Sequence, residues 1–210
     1  MSMPGDEGMP AVAWTSVRNP AGFALRYVPA LRAYLRYRCG AGNEAAAQAD
    51  SILRTLLVHL IKKGYQGAAS PGGRLRDFMR RLADRSAEAK GLPAPPPGEA
   101  ETAAALRWLS SWRACLHDRV WHTLEHLEHT QPDRPYFSVL RIQQQYPEEQ
   151  PNMQALRLAD ALHQPVKPES YQQLLAVAER AFRRELEAQV AATLDPASPA
   201  AIQSETEELS

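Results

Sequence analysis

The 210-residue chain has only two cysteines, Cys39 and Cys115, and neither stands in a Cys-x-x-Cys pair. That excludes a disulfide framework and a cysteine-based structural zinc site. No apolar run approaches the roughly 18 residues that a membrane span needs. The first residues, Met1 to Trp14, are rich in Gly, Pro and acid and lack the basic flank and apolar core of a signal peptide, so a cytoplasmic protein is expected. There is no Gly-rich phosphate loop, no nucleophile elbow and no matched Cys/His pair, which leaves no catalytic residue and no cofactor to assign. No alternating strand pattern and no internal repeat is evident.

Net charge is also absent, at +0, but only because two unlike parts cancel. Residues 18–90 hold 14 basic against 5 acidic residues, a balance of +9. Residues 91–210 hold 10 against 17, a balance of −7, and Asp6 and Glu7 supply the remaining −2. A basic part joined to an acidic part points the first towards a polyanion or an acidic protein surface.

What is present is helical periodicity. Leu31, Tyr34 and Leu35 share a face, with Arg32 and Arg36 on another. Ala45 to Lys63 carries Leu53, Leu56, Leu57, Leu60 and Ile61 as a wide stripe, closed by Lys62, Lys63 and Gly64. Gly64 to Gly73 reads as a loop. From about Arg74 to Ala89, Leu75, Phe78, Met79 and Leu82 fall at offsets 0, 3, 4 and 7, while Arg74, Arg76, Arg80, Arg81 and Arg85 form a cationic surface. Gly91 to Gly98 holds four prolines and cannot be helical. A long helix is expected from near Glu101 towards Thr130, then a short one over Tyr136–Gln145. Asn152 is expected to cap the next, which carries Ala155, Leu158 and Leu162. Pro168 suits the first position of a last helix whose apolar face runs from Tyr171 to Val190.

The fold class expected is all-α, two small helical domains joined by a Pro-rich linker, the second containing a helix-turn-helix. The boundaries are a disordered segment 1–17, a basic helical domain 18–90, a linker 91–100, a helix-turn-helix domain 101–194 and a frayed acidic tail 195–210.

Two constellations point to nucleic acid. Ser170, Gln172 and Gln173 stand where a recognition helix presents short polar side chains to base edges, and Gln pairs bidentately with adenine. Arg180, Arg183 and Arg184 follow as phosphate contacts, with Glu179, Glu185 and Glu187 interleaved. In the basic domain the five arginines can neutralise phosphates, and Tyr34, Tyr37, Tyr65 and Phe78 are candidate stacking surfaces for unpaired bases. The plainer alternative makes Phe78 core and the arginines a solvated face. A third cluster, His117, His122, His126 and His129 with Asp118, Glu125 and Glu128, includes an i,i+4 His pair. A bundle metal site needs a second Glu-x-x-His helix, and none exists, so the cluster is assigned as a polar helix face and no metal is expected.

Asp118–Leu127, Pro135–Arg141, Leu158–Val166 and Ala181–Asp195 resemble the C-terminal domain of sigma-70-like factors of the extracytoplasmic-function type. Tyr27–Arg36 and Gly73–Arg80 resemble that family's first domain. The resemblance covers most of residues 20–195. It implies a non-catalytic transcription initiation factor whose partners are core RNA polymerase, promoter DNA and a regulatory protein such as an anti-sigma factor. Carried onto this chain, Gln48 to Leu60 is the polymerase-docking helix, with Gln48, Asp50, Ser51 and Arg54 as contacts. Arg74, Arg76, Arg80, Arg81 and Arg85 face the −10 element. Ser170, Gln172, Gln173, Arg180 and Arg183 face the −35 element. Two stretches depart from the family. Asn43–Asp50 has fewer acids than the usual docking helix, and Leu175, Ala176, Glu179 and Ala181 stand where arginines are usual. The alternative is therefore a sigma-like scaffold reused as an interaction module without DNA binding.

Overall fold

The computed structural model describes Trp14 and residues 19–64, 73–195 and 197–209. Among these residues there is no strand, and 79% of them are helical. The helices are α1 (Pro20–Ala24), α2 (Val28–Cys39), α3 (Asn43–Lys63), α4 (Leu75–Glu88), α5 (Glu99–Thr130), α6 (Tyr136–Gln145), α7 (Pro151–Leu162), α8 (Pro168–Ala191) and α9 (Pro199–Leu209). A 3-10 turn, Leu25–Tyr27, joins α1 to α2.

The chain forms two compact units, Met1–Cys115 with Val190–Ser210, and Leu116–Gln189. The division therefore falls within α5 and within α8, and not at the Pro-rich segment. The reason lies in the first unit's core. Leu75, Phe78, Met79 and Leu82 of α4 are buried as their spacing requires, and so are Leu31, Tyr34 and Leu35 of α2 and Ile52, Leu53, Leu56 and Leu60 of α3. These helices leave aromatic surface that α5 covers. Tyr27 stacks on Trp112 at 4.6 Å between ring centroids, and Trp108 meets Tyr34 edge-on at 5.4 Å. Burying two indoles contributes on the order of 3–5 kcal/mol each, so the start of α5 belongs to the basic unit. The Pro-rich segment is tied to the same unit, because an Arg38 guanidinium N–H donates to the Pro93 carbonyl at 2.7 Å. Arg38 also pairs with Asp84, which accepts a 2.8 Å bond from the Tyr34 hydroxyl. Burial pushes the Tyr34 phenol above its ordinary range.

Two further expectations change at the chain's ends. Trp14 is buried, lies 5.6 Å from Phe78 between ring centroids and donates its indole N–H to the Gly73 carbonyl at 3.2 Å. The rest of segment 1–17 lies outside the described residues. The acidic tail is not frayed: Leu75 N–H donates to the Thr193 carbonyl at 2.9 Å, and the chain continues into α9, where Glu205, Thr206 and Leu209 are buried.

The second unit is built on α6, α7 and α8. Val139, Ile142, Ala155, Leu158, Tyr171 and Ala178 form its core, with Leu162, Val166, Leu174 and Leu175 packed around them. The helix expected to be capped by Asn152 begins one residue earlier. Pro151 takes the first position after Gln150, since its fixed φ and missing N–H suit that place. His163 ends α7 at φ 53, a left-handed conformation. A 2.8 Å bond from buried Gln154 to the Tyr146 carbonyl fixes the preceding turn. Arg157 clasps Glu149 through two bonds of 2.7 and 2.6 Å and lies over the Tyr146 ring at 3.6 Å.

Candidate nucleic-acid interface

In the second unit α7, the turn after His163 and α8 form a helix pair whose buried side is set by Leu158, Tyr171 and Ala178. Tyr171 is the anchor. Its ring is fully buried one turn into α8, which fixes the rotation of that helix. Ser170, Gln172, Gln173, Arg180 and Arg183 are consequently all exposed. At 3.6 residues per turn, Gln172, Gln173, Arg180 and Arg183 fall within about 100° of arc, with Ser170 about 60° beyond it. From Gln172 to Arg183 the helix rises about 16 Å, so polar amides stand near the N-terminus and guanidiniums follow. Such a helix can reach base edges with its first turns and phosphates with its later ones. Glu169 and Glu179 lie on the same exposed side and reduce the local positive field. The Tyr171 hydroxyl is buried without a hydrogen-bond partner among the described residues, and burial pushes its pKa up to about 12.

In the first unit the five arginines of the basic surface do not act alike. Arg81 and Arg85 are exposed, lie one turn apart and carry no ion pair among the described residues. Arg80 is partly covered and lies 3.7 Å from Asp84. Arg74 and Arg76 face α9. Arg76 Nε is 3.1 Å from Glu205, its Nη2 donates to Glu208 at 2.6 Å, and Arg74 Nη1 lies 3.1 Å from Glu205 and 3.3 Å from Glu208. The Arg76 side chain is 7% exposed, so it presents no charge at the surface. Its opposite-sign partners sit on a segment more than a hundred residues away, and spacing within α4 cannot reveal that. Only the acidic run Glu205, Glu207, Glu208 hinted at a basic counterpart.

Of the candidate stacking rings, Tyr34 and Phe78 are buried core residues, because both lie on the apolar faces of their helices. Tyr37 is exposed, and Tyr65 lies outside the described residues. Among the proposed polymerase contacts, Ser51 and Arg54 are exposed, while Gln48 and Asp50 are half-buried. Asp50 accepts a 3.1 Å bond from Arg32 Nε. Arg32, Asp50, Leu53, Arg54 and Leu57 line a cleft of about 270 Å³ on the α2–α3 side. The cleft therefore brings Asp50 and Arg54 together but does not take in Gln48 or Ser51.

The histidine segment is spread along α5. His122 Nδ1 is 3.6 Å from a Glu125 carboxylate oxygen, and a His129 ring nitrogen lies 2.8 Å from the Glu125 carbonyl. Glu128 turns elsewhere and accepts from both Ser138 N–H, at 2.9 Å, and the Ser138 hydroxyl, holding the start of α6. Among the described residues no group of His, Cys, Asp and Glu is arranged to hold a metal ion. No described helix is long and apolar enough to cross a membrane. Comparison with protein families, curated proteins and solved structures finds no match.

Proposed function

We propose that the chain is a non-catalytic transcription initiation factor of the sigma type, which binds core RNA polymerase and promoter DNA in the cytoplasm. The observation that carries this reading is the polar face of α8. Ser170, Gln172 and Gln173 are exposed at the head of a helix whose rotation is fixed by buried Tyr171, and Arg180 and Arg183 follow on the same side. Amide side chains read adenine in the major groove, and the guanidiniums set the helix on the backbone without reading sequence. The basic first unit supplies Arg81 and Arg85 for phosphates, Tyr37 for stacking, and α3 with Asp50 and Arg54 for the polymerase.

The test is a pull-down of core RNA polymerase by the full chain at two salt concentrations, with a known sigma factor as competitor. Competed binding is expected. Absence of binding at low salt overturns the reading. A second reading, an interaction module without DNA binding, is favoured by the pairing of Arg74 and Arg76 within the chain. It predicts that Arg80→Glu leaves partner binding intact, whereas the first reading predicts weaker promoter binding by that variant.

A further inference from the structure

α9 meets the first unit through ion pairs and a small apolar contact. Of its residues only Glu205, Thr206 and Leu209 are buried, and Leu209 is the one large apolar side chain among them. Against this thin apolar contact stand two carboxylates on two guanidiniums. The Glu205 side chain is 1% exposed. Burial pushes its carboxyl up, because losing water penalises the charge, and Arg76 and Arg74 only partly oppose that. Glu208 sits nearer the surface, and its hydrogen bond from Arg76 holds its carboxyl below the ordinary range. A buried ion pair of this kind contributes little net stability, because desolvation of both groups offsets their attraction.

Arg76 also keeps an unused donor. Its Nη1 is buried with no hydrogen-bond partner among the described residues. Beside it a cleft of about 230 Å³ is lined by Arg76, Arg80, Trp108 and Glu208 among others, Asp77 included. A guanidinium with an unmet N–H, flanked by a second arginine and covered by two carboxylates, has the layout of an anion site with its anion supplied by the chain itself.

We propose that Arg74 and Arg76 form a phosphate-binding pair for single-stranded DNA, and that α9 blocks it in the free protein, with Glu205 and Glu208 standing where phosphates would bind. This rests on the reading of the basic unit as a DNA-contacting domain and adds its regulation. Arg81 and Arg85, exposed and free of ion pairs among the described residues, follow Arg74 at i+7 and i+11 on one flank of α4 and provide the first landing points beside Arg74, while Arg76 on the other flank is reached through the carboxylates it shares with Arg74. A strand held there raises the local phosphate concentration and competes for Arg74 and Arg76. Displacing α9 costs few apolar contacts and returns Glu205 to water.

Fluorescence anisotropy with a labelled oligothymidylate tests the proposal on four proteins: the full chain, Glu208→Gln, a chain ending at Asp195, and that shorter chain with Arg76→Ala. The truncation is expected to raise affinity about tenfold or more. It is also expected to steepen the dependence of log affinity on log salt by about 1.4, the value for two added single-strand phosphate contacts. Glu208→Gln, which leaves α9 in place, is expected to give a smaller gain in the same direction. Adding Arg76→Ala to the truncated chain should remove most of the gain.

Amide hydrogen exchange on the intact chain supplies a readout that does not depend on how the truncated form folds. Saturating oligothymidylate should speed exchange across residues 199–209. The proposal is overturned if those amides stay equally protected, or if a folded truncation shows unchanged affinity and slope. The polymerase pull-down separates the two ideas. Gained affinity without polymerase binding keeps the anion site and removes the sigma reading. Polymerase binding with unchanged affinity and protection does the reverse.

Discussion

Trp112→Ala tests whether the head of α5 is part of the basic unit. Trp112 is fully buried and stacked on Tyr27. An aromatic side chain of this size removes about 150–250 Å² from water, worth about 4–6 kcal/mol as an upper estimate. Measured Trp or Phe to Ala changes in cores cost about 3–5 kcal/mol. One term works the other way. The Trp112 indole N–H is buried without a partner among the described residues, and deleting it relieves about 1 kcal/mol or more of unmet desolvation. The expected loss is therefore about 3 kcal/mol. With a urea slope of about 2 kcal/mol per molar, the midpoint falls by about 1.5 M. The control is Leu106→Ala on the same helix, where the side chain is 63% exposed and the change should stay within about 0.5 kcal/mol. Urea unfolding followed by far-UV circular dichroism reads both. Equal, small shifts in the two variants would refute the assignment of α5's first turns to this core.

Four other outcomes are expected. Arg183→Ala should weaken duplex binding evenly across sequences and lower the salt slope by about 0.9, whereas Gln173→Ala should change which sequences are preferred; a salt-titrated binding series on two duplexes separates them. Tyr171→Phe removes a buried hydroxyl that has no partner, so its melting temperature should match or exceed the parent's; a loss above about 1 kcal/mol would show the hydroxyl to be bonded. Because burial raises the Tyr171 phenol to about 12, the folded state favours the neutral form, so stability is full below the ordinary phenol range and declines as pH rises towards 12, a decline that Tyr171→Phe should abolish in alkaline melts. Glu208 has the opposite sign: its lowered carboxyl contributes stability above the ordinary carboxylate range that is lost as pH falls through the folded value, and acid titration of Glu208→Gln should lack that part of the loss.

How far the chain could be read in advance differs by element. The four apolar residues of α4 at offsets 0, 3, 4 and 7 announced a buried face, and all four are buried. Pro168 marked the start of α8 to the residue. The polar head of α8 was legible for the same reason, since burying Tyr171 and Ala178 leaves Ser170, Gln172 and Gln173 no other direction. Where the chemistry depended on a remote segment, spacing was silent. Arg74 and Arg76 look like any cations of an amphipathic helix, and their partners come from a tail whose Pro, Ser and Glu content suggests fraying.

Local periodicity and backbone chemistry, which act over one to four residues, determined from the sequence alone that the described chain is helical, where several helices begin and end, and which side chains of α4 face the core, whereas Ile61, at the margin of the expected α3 stripe, is exposed. They could not determine which helices share a core. Tertiary packing decided that Trp108 and Trp112 complete the basic unit, that the Pro-rich segment is tied to that unit by Arg38 and does not divide the chain, and that the acidic tail folds onto two of the five arginines. Burial and ion pairing link residues far apart in the chain, and their energies depend on distances and desolvation that no local pattern encodes.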